Sequence, residues 1–139
     1  MNDVELIHCS DADLDVLATL NKQLIDDEKS DNKMNVSQLK ERMFGFIHSE
    51  YDAYLFMDGN EIIGYALVKN TQSPLYLRQF FICREHRQKG YGKVAFNKLM
   101  QMLKAETIDI EVLCWNSVGK AFWDSLGFNE RSVYMRFGS

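Results

Sequence analysis

Arg84-Glu85-His86-Arg87-Gln88-Lys89-Gly90-Tyr91-Gly92-Lys93 separates the apolar run Leu75 to Cys83 from a stretch that carries Ala95, Leu99, Met102 and Leu103 at helical spacing. Strand, basic loop, helix is the order. No Ser, Thr, Asp or Asn stands where a cap for that helix is needed, so its first amides lack a partner. Unpaired amides and the helix dipole make an anion site, and Arg87, Lys89 and Lys93 add positive charge to it. Two glycines let phosphate oxygens approach the backbone. The physical reading is a pyrophosphate cradle.

Two other readings compete for this loop. A Gly-x-Gly alone is more often a surface turn with solvated basic residues. Gly90-x-Gly92-x-x-Ala95 also fits the dinucleotide fingerprint formally, with Asp109 or Glu111 downstream. In that fingerprint, however, the strand runs almost directly into the first glycine. Here six polar or charged residues intervene between Cys83 and Gly90.

Upstream, Val4 to Cys9 reads as a short strand, and Ser10 with Asp13 resembles a capping box for a helix bearing Leu14, Leu17, Leu20 and Leu24. Asn35 caps a second helix with Leu39, Met43, Phe46 and Ile47 on one side. Ala53 to Met57 and Ile62 to Val68 are β-rich runs joined through Asp58-Gly59, a hairpin signal. Downstream, Ile108 to Cys114 reads as a strand. Asn116 opens a last helix that ends at Gly127, and Phe128 to Phe137 reads as a final strand. The expected fold is α/β (α+β): a mixed, mostly antiparallel sheet of six to seven strands flanked by about four helices.

A chain of 139 residues, 46% apolar and 26% charged, with one proline, fits a single domain over residues 1–139. The start of the chain has no basic leader and no apolar run reaches bilayer length, so a cytoplasmic protein without membrane contact is expected. Its net charge of −4 argues against nucleic acid. Cys9, Cys83 and Cys114 are odd in number and widely spaced within apolar stretches, which suits buried thiols; no metal site is expected. Edge strands and the C-terminal run leave room for a homodimer.

Arg87-x-x-Gly90-x-Gly92 after a β run resembles the acyl-CoA loop of the GNAT superfamily of N-acetyltransferases. Asn116 to Phe128, an Asn opening a helix that closes on Gly-Phe, is similar to that family's second signature. The resemblance spans nearly the whole chain and implies acetyl-CoA as co-substrate and an amine acceptor, a small molecule or peptide, attacking directly in a ternary complex. It implies a cofactor-binding set of Phe81, Ile82, Arg87, Gln88, Lys89, Gly90, Tyr91, Gly92, Lys93, Asn116 and Trp123. Backbone near Ile82 would hold the pantetheine arm like an added strand, and amides from Gln88 to Lys93 would hold the pyrophosphate. Asn116 is also a plausible helix N-cap, and the two roles are compatible.

Two departures from the family pattern bear on catalysis. Trp123 stands where many members have a tyrosine that protonates the departing thiolate, and an indole has no such proton to give. Tyr76-Leu77-Arg78-Gln79-Phe80-Phe81 resembles a strand of the spermidine/spermine acetyltransferases, but Arg78 and Gln79 replace their Glu-Asp pair. Polyamine acetylation is therefore disfavoured, and Arg78 is read as meeting an acid or a substrate carboxylate. For the remaining roles the candidates are Glu28, Gln79 and Glu111 in catalysis, and Asp27, Glu28, Arg78 and Gln79 in acceptor binding. A run of three acids such as Asp26-Asp27-Glu28 is more often just a solvated helix end. A non-catalytic acyl-CoA sensor is the competing function.

Overall fold

The computed structural model describes residues 3–138. Strand β1 (Glu5–His8) leads through a 3-10 turn at Asp11–Asp13 into helix α1 (Leu14–Glu28), followed by α2 (Val36–Ile47), β2 (Tyr51–Asp58), β3 (Glu61–Lys69) and β4 (Leu75–Ile82). A second 3-10 turn, Arg84–His86, precedes α3 (Tyr91–Leu103), β5 (Ile108–Asp109) and α4 (Ser117–Ser125). The strands lie in the order β1-β2-β3-β4-β5, antiparallel except for the last pair, β4 with β5.

Local chemistry sets these boundaries. Asn35 accepts from the Gln38 amide at 2.8 Å while Gln38 returns a bond to the Asn35 amide at 2.9 Å, a reciprocal cap that starts α2. Gly59 turns the β2–β3 hairpin at φ 59°, and Gly127, at φ 96°, follows the end of α4. Alternation along the strands sends Leu55, Tyr65 and Phe81 to one face, under α1 and α2. Phe56, Ala66 and Leu77 go to the other, against Phe96 and Leu99 of α3.

One irregularity positions the site. Leu67 pairs with Gln79 but Val68 pairs with Leu77, so Arg78 is an extra residue, a β-bulge in β4. On its other side β4 pairs with β5 only at Leu75–Ile108 and Tyr76–Asp109. Beyond Tyr76 the outer edge of β4 has no strand partner among the described residues.

The sheet is smaller than the sequence suggests: five strands, not six to seven. Ile108 to Cys114 pairs for two residues before the chain leaves β4, and Cys114, expected to be buried, is exposed. Phe128 to Phe137 is not a strand, and Val133, Tyr134, Met135 and Phe137 are exposed. Alternating sequence needs a neighbouring edge to become a strand, and β5 offers too short a one. No helix among the described residues is long and apolar enough to cross a membrane.

Candidate active site

The loop after β4 turns twice through positive φ, at Gln88 (61°) and Gly90 (85°), and delivers the chain into α3 without a side-chain cap. The first backbone bond of the helix runs from the Val94 amide to the Gly90 carbonyl at 3.3 Å. The amides of Tyr91, Gly92 and Lys93 therefore face the loop with no intrahelical acceptor. Lys89 and Lys93 are exposed beside them.

Arg87 does something else. Its Nε donates to the Ile82 carbonyl at 2.8 Å, its guanidinium lies over the Phe81 ring at 5.3 Å, and its Nη2 meets Asp27 Oδ2 at 2.5 Å. Arg84 Nε holds the other oxygen of Asp27 at 2.8 Å. Asp27, only 11% exposed, is thus the anchor of two arginines and ties the end of α1 to the loop. Burial raises its pKa, but the bonds from Arg84 and Arg87 outweigh that and hold it below the usual carboxylate range. Asp27, expected to meet the acceptor, is ion-paired here with both arginines, and Arg87 ties it to the Ile82 carbonyl at the end of β4.

The next residue is in the opposite condition. Glu28 is half-buried, and its pKa is raised first by that burial and then by the neighbouring charge of Asp27. Its backbone carbonyl accepts from the Trp115 indole at 2.9 Å, which links α1 to the segment that leaves β5. Tyr65, fully buried, donates to Gln79 Oε1 at 2.7 Å and lies close enough to Glu28 for the carboxylate to raise its pKa. Glu28 and Gln79 are therefore brought to one region of the α1/α2 face. Glu111 stands apart, accepting from the Tyr76 hydroxyl at 2.8 Å near the start of β4.

Helix α4 supplies packing more than chemistry. Asn116 caps it, Oδ1 accepting from the Gly119 amide at 3.0 Å, which leaves its Nδ2 donors for another partner. The Trp123 ring packs edge-on against Phe80, Phe96, Phe122 and Phe128. Gly92 also has a packing role: a Cβ there would fall 2.9 Å from the Phe122 ring. The side of Gly92 on which a Cβ would lie is occupied by Phe122 of α4.

Neither buried cysteine offers a nucleophile. Burial and Asp13 push the Cys9 thiol up to about 12, and burial with Glu85 pushes Cys83 up to about 11. An open hollow of about 460 Å³ beside Cys9, Asp11, His48 and Asp52 lies at the β1–β2 edge, the opposite end of the sheet from β5.

Unpaired amides at a helix start, on a loop that follows a strand with an open edge, are the geometry that the family resemblance requires. The sequence profile of the acetyltransferase (GNAT) family matches residues 19–128. The chain belongs to that family. Its GNAT fold is shared with a "possible acetyltransferase" from Clostridium difficile 630, at TM-score 0.79 and 17% identity over 99% of this chain and 98% of that one. A predicted acetyltransferase from Clostridium acetobutylicum, solved with acetyl-CoA, superposes at TM-score 0.76 and 13% identity over 98% and 96%. A tetramutant of the BH1408 protein from Bacillus halodurans gives TM-score 0.79 and 18% identity over 97% and 99%. At these identities the likeness shows the fold. No curated protein sequence matches the chain significantly.

GNAT acetyltransferases use acetyl-CoA as co-substrate, and the donor set here fits it. The α3 amides with Lys89 and Lys93 suit a diphosphate, and the unpaired edge of β4 suits an amide-bearing arm. Sequence reading missed Arg42 and Asn21. Asn21 alone left a signal, a polar residue among Leu17, Leu20 and Leu24 on the buried stripe of α1.

Proposed function

We propose that the protein transfers an acetyl group from acetyl-CoA to a primary amine by direct attack, with Glu28 as the general base. The observation that carries this reading is that β5 pairs with β4 only as far as Tyr76, which leaves the edge of β4 unpaired on the way to the uncapped start of α3. Amides of Tyr91 to Lys93 with Lys89 and Lys93 hold the diphosphate. The free edge of β4 from Gln79 to Ile82 and the Asn116 amide group align the arm. Acetyl-CoA, when bound, supplies a thioester carbonyl carbon.

Neutralising an alkylammonium of pKa near 10.4 at pH 7 costs about 4 to 5 kcal/mol, the largest proton cost of the reaction. A carboxylate whose pKa is raised by burial is a stronger base than a solvated one, and Glu28 is such a group. It takes a proton from the acceptor, directly or through one water. The freed nitrogen then forms the C–N bond as the C–S bond breaks. The thiolate leaves with little help: a thiol pKa near 8.5 puts its protonation within about 2 kcal/mol of neutral pH. Trp123, packed among four phenyl rings, supplies no proton.

Release of free CoA across a panel of amines is the test. Turnover above hydrolysis with at least one amine is expected, together with about tenfold weaker CoA binding when Lys89 and Lys93 are both replaced by alanine. The absence of a phenol at position 123 favours the second reading, an acyl-CoA sensor. Tight CoA binding without turnover on any amine would select it.

A further inference from the structure

Arg42 and Arg78 lie on the same ring. The Arg42 guanidinium is 5.3 Å from the Phe46 centroid and that of Arg78 is 4.7 Å from it, with Tyr51 5.8 Å from Arg78. Two cations sharing one face of the protein normally recruit an acid. Arg84 and Arg87 have Asp27, yet no carboxylate among the described residues pairs with Arg42 or Arg78. Arg42 reaches only Asn21 Oδ1, at 3.3 Å, and Arg78 only the Tyr51 hydroxyl, at 3.4 Å.

The Arg42 Nε is buried and has no acceptor at all. A buried donor left unpaired is destabilising, and a second like charge beside it adds to the cost. Burial and the nearness of Arg78 both lower the Arg42 pKa, the sign expected of a guanidinium that lacks its counter-ion. The bulge in β4 is what turns the Arg78 side chain to this face, next to Gln79. Bulges of this kind re-aim side chains beside active sites.

The pair lies on the side of the sheet that also holds Glu28. Arg42 bonds Asn21 and, like Glu28, is near enough to Tyr65 for its charge to act on that hydroxyl, which donates to Gln79. Resting on the acetyl-transfer reading above, we propose that the acceptor is an anionic amine, with a carboxylate or phosphate received between Arg42 and Arg78 while its nitrogen faces Glu28. Guanidinium forks match both anions in geometry and charge. Cationic acceptors such as polyamines are repelled by the same pair.

The test compares proteinogenic amino acids with their carboxamides, alongside phosphoethanolamine and putrescine, by CoA release in wild type and in Arg78→Gln. Expected is a preference of about tenfold or more in kcat/KM for an amino acid over its amide, lost in Arg78→Gln with CoA affinity unchanged. Arg78→Lys should restore part of it. Preference for phosphoethanolamine over the amino acids would assign the anion as phosphate. Equal rates for acid and amide in wild type overturn the proposal, as does a fall in CoA affinity in Arg78→Gln, which would give the arginines to the coenzyme. If no amine turns over, acetyl transfer fails, and calorimetry of CoA-loaded protein with the same amino acids still decides the anion site. Binding that Arg78→Gln abolishes upholds it, and no binding overturns it.

Discussion

Glu28 and Asp27 are adjacent carboxylates driven in opposite directions, one by burial and a like charge, the other by two arginines. The base form of Glu28 exists only above its raised pKa, so acetyl transfer should fall on acidification at a pH above the usual glutamate range. Glu28→Gln should remove that limb and lower kcat/KM by about a hundredfold or more, measured as a pH–rate profile. Its stability should move the other way. A folded-state pKa raised above the unfolded value means that the native protein holds the proton more tightly, so stability declines as pH rises through that window. Glu28→Gln should therefore melt higher than wild type at neutral pH. Arg42→Met should also gain stability, about 0.5 to 2 kcal/mol by urea unfolding, because it removes the buried unpaired Nε. Both residues would then be retained for chemistry at a cost in stability. Gly92→Glu, by contrast, should lose stability, since any side chain there enters the Phe122 ring.

The Asp27 clamp makes the loop after β4 depend on a helix distant in sequence. Asp27→Ala should free Arg84 and Arg87, cost about 1 to 3 kcal/mol in thermal unfolding, and weaken CoA binding because the loop that carries the α3 amides is no longer braced. The depressed Asp27 pKa gives the pH sign. The clamp stabilises above the ordinary Asp range and is lost as pH falls through the lower, folded-state value. Much of the rest is legible in the sequence: the Asn35 cap, the Gly59 turn and the strand-loop-helix unit each rest on residues within a few positions. The clamp was not readable, since nothing local relates Asp27 to Arg84. For the same reason Ile108 to Cys114 and Phe128 to Phe137 looked like strands. Their alternation is genuine, but the partner edge is removed where β4 bulges at Arg78 and β5 departs. The loop and Asn116 were found from motif spacing, whereas Arg42 and Asn21 meet only through the packing of α1 on α2.

Two apolar cores pack on the two faces of the sheet, and a smaller third cluster lies between α1 and α2. Glu28 and Gln79 belong to the α1/α2 side, while α3 and α4 cover the other. A ligand that spans the open edge of β4 therefore contacts elements from both cores and should stabilise the chain as a whole. At CoA a hundred times its Kd, linkage gives about 2.7 kcal/mol, roughly a 10 °C rise in melting temperature for a chain of this size. NAD carries a diphosphate too, but no arm that can add to a strand edge, so it should shift melting far less at equal concentration. Equal shifts from CoA and NAD would mean that the α3 amides act alone and that the free edge of β4 takes no part in binding.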